Sequence, residues 1–237
     1  IEGHTHMDRV IPFLKNYRPD VVCLQELSEF DVPIFEQELA MKCVFVPVAT
    51  HHSVPQDANS PVGKWGVGIM SREAHVFSEA KFYWGKEGAV PRFAFGKNRN
   101  NTNGVLLSAR VYFGSVLYTF ATTHLTWTPD GNPTDEQRVD LKNLLKILEK
   151  TPDCVLAGDF NAPRGLEIFD ILARKYKDNI PKHYLTSLDP KLHRLKNSKL
   201  LLVDGLFTTP EYLATEVKLT EGVSDHMAIT ALISRKG

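Results

Sequence analysis

Carboxylate, amide and imidazole side chains recur in this chain directly beside short apolar runs. Gln25-Glu26 follow Val21–Leu24, His124 follows Val116–Thr123, Gly158-Asp159-Phe160-Asn161 follow Cys154–Ala157, and Ser224-Asp225-His226 precede Met227–Ile233. Asp204 lies inside a further apolar run, Leu201-Leu202-Val203-Asp204-Gly205-Leu206-Phe207. If such runs are strands lying side by side, their ends share one rim, and groups far apart along the chain converge there. Glu26, Asp159, Asp204 and Asp225 in one cleft would repel one another unless a cation sat between them. Oxygen donors select a hard divalent ion, Mg²⁺ or Mn²⁺, over zinc. His124 and His226 beside such acids supply proton transfer and orientation of the kind that hydrolysis at neutral pH requires. No single piece is specific. Glu26 also fits an ion pair at a strand end, His124 a core histidine, Asp159 with Asn161 an Asx turn, and Asp225 a turn cap. Asp204 is harder to assign to packing alone, because an unpaired buried carboxylate costs on the order of several kcal/mol.

The elements that must carry these groups are legible from periodicity. Runs rich in Val, Ile, Phe and Tyr predict strands over Val21–Gln25, Cys43–Val48, Gly66–Ser71, Val105–Tyr112, Val116–Thr123, Cys154–Ala157, Leu200–Phe207 and Met227–Ile233. Phe113-Gly114-Ser115 reads as a hairpin turn between two of them. Leu141, Leu144, Leu145 and Leu148 share one helical face, so a helix is expected over Asp135–Lys150. Thr134 and Gln137 read as its capping box, with Asp135 and Glu136 at the positive end of the dipole. Weaker helical patterns cover Asp8–Tyr17, Asp31–Met41 and Leu166–Lys175, and Pro12 counts against the first unless that helix starts close to Asp8. Hairpins together with strands buried beside helices predict an α/β (α+β) fold. The expected form is a four-layer αββα sandwich, two mixed β-sheets face to face with helices outside, in preference to a doubly wound parallel sheet.

Composition narrows the class. With 237 residues, 43% hydrophobic and 24% charged, the chain has a globular balance, and one domain over residues 1–237 is expected. Its 28 basic and 28 acidic residues cancel, so any polyanion must be met by a local patch. No stretch approaches the roughly 18 apolar residues of a membrane span, and no signal peptide is seen. Cys23, Cys43 and Cys154 are scattered, which argues against a disulfide scaffold or a thiolate zinc site and for a reducing, cytoplasmic compartment.

Taken in order, these residues resemble the endonuclease/exonuclease/phosphatase superfamily. This metal-dependent group includes DNase I-like nucleases, abasic-site endonucleases, tyrosyl-DNA phosphodiesterases, deadenylases and inositol-polyphosphate phosphatases. The resemblance runs from about Asp8 to Ile233. It is carried by Pro19-Asp20-Val21-Val22-Cys23-Leu24-Gln25-Glu26, Gly66-Val67-Gly68-Ile69-Met70-Ser71, Thr123-His124-Leu125, Gly158-Asp159-Phe160-Asn161, Val203-Asp204-Gly205-Leu206-Phe207 and Ser224-Asp225-His226. It implies two packed sheets flanked by helices, and Mg²⁺-dependent hydrolysis (Mn²⁺ as a substitute) by in-line attack of water. Glu26 then matches the principal metal carboxylate and Asp225 a further ligand, direct or through water. Asp159 matches the acid that orients or deprotonates the water, and Asn161 the amide that holds that water or a phosphate oxygen. His226 matches the histidine beside the scissile phosphate, Asp204 the acid that orients it, and His124 a phosphate contact or leaving-group assistant. Two departures stand out. The family opens with a strand ending in Asn-Ile or a similar pair, whose Asn reaches the metal site. This chain opens on Ile1-Glu2-Gly3, so the recorded sequence is expected to lack that first strand. DNase I-like members also hold an acid just before the Gly66-Val67-Gly68 position to orient their central histidine, where this chain has Lys64 and Trp65.

Substrate class is read from local charge. The stretch from Arg174 to Lys199 carries eight basic residues, among them Lys191, Arg194 and Lys196, against Asp178 and Asp189. Lying between Asn161 and Asp204, it fits a positive wall over the site, extended by Arg92, Lys97 and Arg99, and equally a solvated face. Arg92, Lys191 and Arg194 are the expected phosphate contacts, and Trp127, three residues beyond His124, a stacking residue. The leading reading is a monomeric nuclease or end-processing phosphodiesterase acting on nucleic acid. The alternatives are a phosphatase or phosphodiesterase of a small phosphorylated molecule or lipid headgroup, and a binding module that keeps the fold without catalysis. His51, His52, His75, His183 and His193 receive no role, while His4 and His6 fit the lining of the cleft.

Overall fold

The structure is a computed structural model and describes residues 3–52, 57–195 and 199–236. Among these residues four α-helices and eleven strands are formed: α1 (Met7–Tyr17), β1 (Val21–Ser28), α2 (Val32–Leu39), β2 (Lys42–His52), β3 (Val62–Ser71), β4 (His75–Trp84), β5 (Gly104–Phe113), β6 (Val116–His124), α3 (Asp135–Leu148), β7 (Val155–Asp159), α4 (Glu167–Lys175), β8 (Lys177–Asp178), β9 (Asp204–Thr208), β10 (Tyr212–Thr220) and β11 (Ala228–Arg235). The expected sandwich is present. One β layer is a six-stranded mixed sheet in the order β4-β5-β6-β7-β9-β8, with β6 and β7 parallel and the other neighbours antiparallel. The opposing layer is divided into two antiparallel ladders, β1-β3-β2 and β10-β11.

Burial explains the layering. Val67 and Ile69 of β3 meet Leu107, Ala109 and Ala121 of the six-stranded sheet in one core, whose far side is closed by Leu141 and Leu144 of α3 and by Phe169 and Leu172 of α4. A second cluster joins Val10 and Leu14 of α1 and Phe35 and Leu39 of α2 to Val22, Leu24 and Leu27 of β1. Each buried aliphatic or aromatic side chain contributes roughly 1.5–3 kcal/mol. No helix among the described residues is long and apolar enough to cross a membrane.

Local detail departs from the sequence expectations in instructive places. Phe113 pairs with Val116, so the β5–β6 turn is the two residues Gly114-Ser115, with Gly114 at φ +61°. Thr134 caps α3 by accepting from the Gln137 backbone N–H at 3.3 Å, but only half of the capping box forms. The fully buried Gln137 side chain instead donates to the Thr126 and Asn161 carbonyls, at 2.9 and 3.1 Å. α1 starts at Met7 and carries Pro12 as its sixth residue, inside the helix, so the bond that position would make to the Asp8 carbonyl is absent while the helix still runs on to Tyr17. Strands β4 and β10 carry weak alternation, and edge or half-exposed positions such as Val76, Phe77 and Leu213 hide them from a periodicity reading.

Candidate active site

Strand register builds one wall of the site. His124 ends β6, Asp159 ends β7 and Asp204 begins β9, and these residues are direct cross-strand partners: His124 opposite Asp159, and Asp159 opposite Asp204. Neighbouring strands lie about 4.8 Å apart, so the three side chains form a row along one sheet end. The row closes tightly because Gly158 faces Gly205 across β7 and β9, and a Cβ on Gly158 would come within 2.3 Å of the Thr123 carbonyl oxygen. Alternation then sorts the Asp159-Phe160-Asn161 segment. Phe160 is fully buried, edge-on to Phe207 at 5.3 Å, while Asp159 and Asn161 line the cleft.

The other wall comes from the divided layer. β1 carries a bulge between Leu24 and Leu27, and within it Glu26 takes a left-handed backbone at φ +56°. The bulge turns Glu26 into the cleft instead of into the β1–β3 ladder. Asn161, at φ +48°, is likewise left-handed, as are Arg99, Asn100 and Asp130 elsewhere on the cleft lining. Such backbone is retained only where surrounding structure over-determines it, and here Gln25 bonds Thr122 at 2.8 Å while Asn161 is held at both ends. Asp225 and His226 lead into β11 and are fixed from behind. The Asp189 N–H donates to the Asp225 carbonyl at 2.8 Å, and the Met227 N–H to the Ser187 carbonyl at 2.7 Å.

Glu26, His124, Asp159, Asn161, Asp225 and His226 thus line a single cleft of about 550 Å³. Asp204 stands behind them, its Oδ2 accepting from His226 Nδ1 at 2.7 Å. Asp159 Oδ1 accepts the Asn161 N–H at 2.7 Å, and its Oδ2 lies 3.4 Å from His124 Nε2. The Asn161 amide donates to the Leu125 carbonyl at 2.8 Å, which leaves its oxygen as an acceptor. No acid precedes Gly66 to orient His124. Trp65 packs edge-on against the ring at 5.9 Å, and Asp159 is the carboxylate beside it.

The electrostatics follow from burial opposed by pairing. Burial disfavours the His226 imidazolium, but the charges of Asp204, Asp159 and Asp225 prevail and hold its pKa well above the ordinary histidine value. Burial and the neighbouring Asp159 push Asp204 upward against the pull of His226. Burial also works against ionised Asp159 and Asp225. His124, His226 and the Asn161 N–H nevertheless keep Asp159 below the usual carboxylate range, and His226 together with the Ser224 hydroxyl brings Asp225 to about 2. Two groups bring ligand atoms within 4.8 Å of one another: Asp159 with Asp204 and His226, and His193 with Asp225 and His226. Glu26 faces the same cleft outside both groups. The carboxylate-rich set suits a hard divalent cation, and buried anions with strained supports are the environment such an ion neutralises.

The remaining expected residues separate. Trp127 and Arg194 line the cleft. Arg92 bridges Thr50 and does not line it, nor does Lys191, whose N–H closes an Asx turn on Asp189. The basic stretch disperses: Lys175 pairs with Glu149, Lys199 pairs with Asp130 on the rim, and Lys196 lies outside the described residues. Arg99 reaches the cleft but is spent on structure, chelating buried Asp140 at 2.7 and 3.0 Å and stacking on Trp84 at 3.7 Å. His4 turns away to Asp31. Sequence reasoning missed His193, whose ring lies 5.6 Å from His226, and Phe95, a 62% exposed ring 5.1 Å from Trp127. Neither carries a spacing signal, because loops deliver both. Gln137 was read only as a cap.

Comparison with known proteins bears on the family and the fold. The model of the Endonuclease/Exonuclease/phosphatase family matches residues 2–226. No curated protein sequence matches the chain. Among solved structures it is similar to TDP2 of D. rerio complexed with single-strand DNA product (TM-score 0.65, 21% identity, 97% of this chain and 92% of that one). It is also similar to the human Nocturnin catalytic domain with bound sulfate (0.68, 16%, 97% and 85%) and to a mannosyl-6-phosphatase of Bacteroides thetaiotaomicron (0.63, 11%, 95% and 89%). At these identities the neighbours establish the shared fold, and the sequence match across nearly the whole chain establishes the rest: this protein belongs to the Endonuclease/Exonuclease/phosphatase family.

Proposed function

We propose that the protein hydrolyses a phosphodiester bond of nucleic acid in a Mg²⁺-dependent reaction, with Mn²⁺ as a substitute, as a nuclease or end-processing enzyme. The observation that carries this reading is the convergence of the His124–Asp159–Asp204 row with Glu26 and the Asp225–His226 pair around one cleft. Glu26 and Asp225 are the residues that would hold the ion. When bound, a divalent cation polarises the phosphoryl oxygen and offsets developing negative charge. The protein's own groups do the rest. Asp159, anionic at neutral pH, accepts a proton from or aligns the attacking water, and the free oxygen of Asn161 holds that water in line. His226, charged and fixed through Nδ1 by Asp204, offers its remaining N–H to a phosphate oxygen. His124 stands beside Asp159, placed to assist the leaving group.

Nucleic acid is favoured by the Phe95–Trp127 pair in a cleft that Arg194 also lines. Exposed aromatic rings beside a phosphate site stack bases. A small phosphorylated molecule is the second reading, and a specific observation favours it: among the described basic residues between 174 and 199, Arg194 alone lines the cleft. One panel separates the two. Oligonucleotides, 5′-tyrosyl and 3′-phosphate ends, sugar phosphates and inositol phosphates are assayed with Mg²⁺, with Mn²⁺ and in EDTA, beside Asp159→Ala. Oligonucleotide cleavage that vanishes in EDTA and in the variant is the expected result. Full activity of a folded Asp159→Ala protein, or activity undiminished in EDTA, defeats the mechanism.

A further inference from the structure

The turn from Leu188 to Leu195 is locked to the loop that carries the Asp225–His226 pair. Asp189 is 1% exposed, and both of its carboxylate oxygens are spent on backbone. Oδ1 accepts the Lys191 and Leu192 N–H groups, each at 2.8 Å, and Oδ2 accepts that of Gly222 at 2.6 Å. Leu188 bridges His226, the Asp189 N–H donates to the Asp225 carbonyl, and the His193 N–H closes the turn on the Asp189 carbonyl at 3.1 Å. His193 is therefore held in place relative to the pair. Its ring stands edge-on to His226, and one of its nitrogens comes within 4.8 Å of an Asp225 carboxylate oxygen and a His226 nitrogen.

A histidine in that position can be a third ligand to a cation or a hydrogen-bond donor, and one contact decides between them. His193 Nδ1 lies 3.2 Å from the Leu195 backbone nitrogen, which has only an N–H to offer, so Nδ1 is the acceptor. An imidazole that accepts at Nδ1 is neutral and carries its proton on Nε2. Nε2 then has a hydrogen and no lone pair for a metal. Among the described residues nothing accepts from it, although the residue lines the cleft. His226, whose Nδ1 is turned to Asp204, likewise presents its other nitrogen, and Arg194 lines the same cleft. N–H donors thus gather beside the carboxylates of Glu26, Asp159 and Asp225. We infer that His193 is a phosphate-binding residue, its Nε2–H donating to a non-bridging oxygen next to the one that His226 holds. The ligand class is a phosphate ester with two unesterified oxygens on one phosphorus, as a phosphodiester has. The assignment of that phosphate as a substrate's rests on the hydrolase reading above. The grouping of His193 with Asp225 and His226 is then an anion contact and not a cation site.

The test compares the unaltered protein with His193→Phe, which keeps a ring against His226 without the N–H, and His193→Gln, whose amide nitrogen restores a donor near the place of Nε2. Nitrogen NMR of the unaltered protein at neutral pH is expected to show His193 as the Nε2–H tautomer, its Nε2 resonance shifting when inorganic phosphate and Mg²⁺ are added. This reading needs neither variant to fold. His193→Phe should weaken binding of inorganic phosphate, and raise KM for an oligonucleotide, by about 10- to 150-fold, the worth of one hydrogen bond to a charged group. His193→Gln should recover most of that loss. Mn²⁺ affinity, read by electron paramagnetic resonance, should be the same in all three proteins. The Nδ1–H tautomer, or loss of Mn²⁺ binding in both variants, overturns the inference and assigns the ring to a cation. Phosphate binding that weakens equally in both variants, or in neither, overturns it as well. The expected pattern of phosphate binding in a protein that cleaves no phosphodiester leaves the His193 contact standing and removes the hydrolase reading alone.

Discussion

Replacing Asp204 by Asn separates charge from shape at the best-defined contact of the site. Asp204 is 7% exposed and its Oδ2 accepts from His226 Nδ1 at 2.7 Å. A hydrogen bond to a charged partner contributes about 1.5–3 kcal/mol. If the imidazolium acts in the transition state, losing that bond slows turnover by about 10- to 150-fold. Stability responds differently, because two effects oppose. His226 has its pKa raised in the fold, so its contribution is complete below the unfolded value of about 6.5 and is lost as pH rises through the folded value. Asp204 is itself raised by burial and by Asp159, so it burdens the fold above about pH 4 and not below. The variant gives up the first term and removes the second, and net stability near pH 7 should move by no more than about 1 kcal/mol. The assay is urea unfolding from pH 5 to 9, nitrogen NMR titration of His226, and kcat on whichever substrate the panel identifies. A fall in the His226 pKa, slowed turnover and near-parental stability are expected together. Turnover within twofold of the parent, with the His226 pKa unmoved, refutes the positioning role of Asp204.

Further outcomes follow from other contacts. Phe95→Ala and Trp127→Ala should each raise KM for an oligonucleotide by about 5- to 150-fold, the worth of one stacked base, and leave an abasic analogue unaffected. An equal effect on both substrates would reassign the pair to packing. Asp140→Ala strands the buried Arg99 guanidinium and frees the Thr126 hydroxyl, and a loss of about 3–5 kcal/mol by urea unfolding is expected. A loss below about 1 kcal/mol would mean the pair is structurally idle. Burial pushes the thiols of Cys23, Cys43 and Cys154 up to about 12, so none should be alkylated by iodoacetamide at pH 8 until urea is added. A thiol reacting in the folded protein at the rate of free cysteine would contradict that burial.

Much of the architecture could be read without coordinates, for physical reasons that differ between elements. α3 was legible because four leucines at helical spacing have one way to be buried together. The β5–β6 hairpin was legible because Gly114 relieves the backbone at its turn. Strands with exposed faces, β4 and β10, were not, since their burial depends on neighbours a single sequence does not name. The basic stretch shows the same limit: charge can be counted along a chain, but that Lys191 closes a turn on Asp189 and does not line the cleft is decided by the fold.

By itself the sequence determined the chemistry available here: which carboxylates, amides and imidazoles stand at strand ends, and which glycines permit close strands. Tertiary structure alone decided which of them meet. Register placed His124, Asp159 and Asp204 in one row, a bulge turned Glu26 into the cleft, and the 189–193 turn carried His193 to the side of His226. The reason is geometric. Side-chain type is a local property of the chain, whereas distance between residues a hundred positions apart is set by pairing and packing that no local signal encodes.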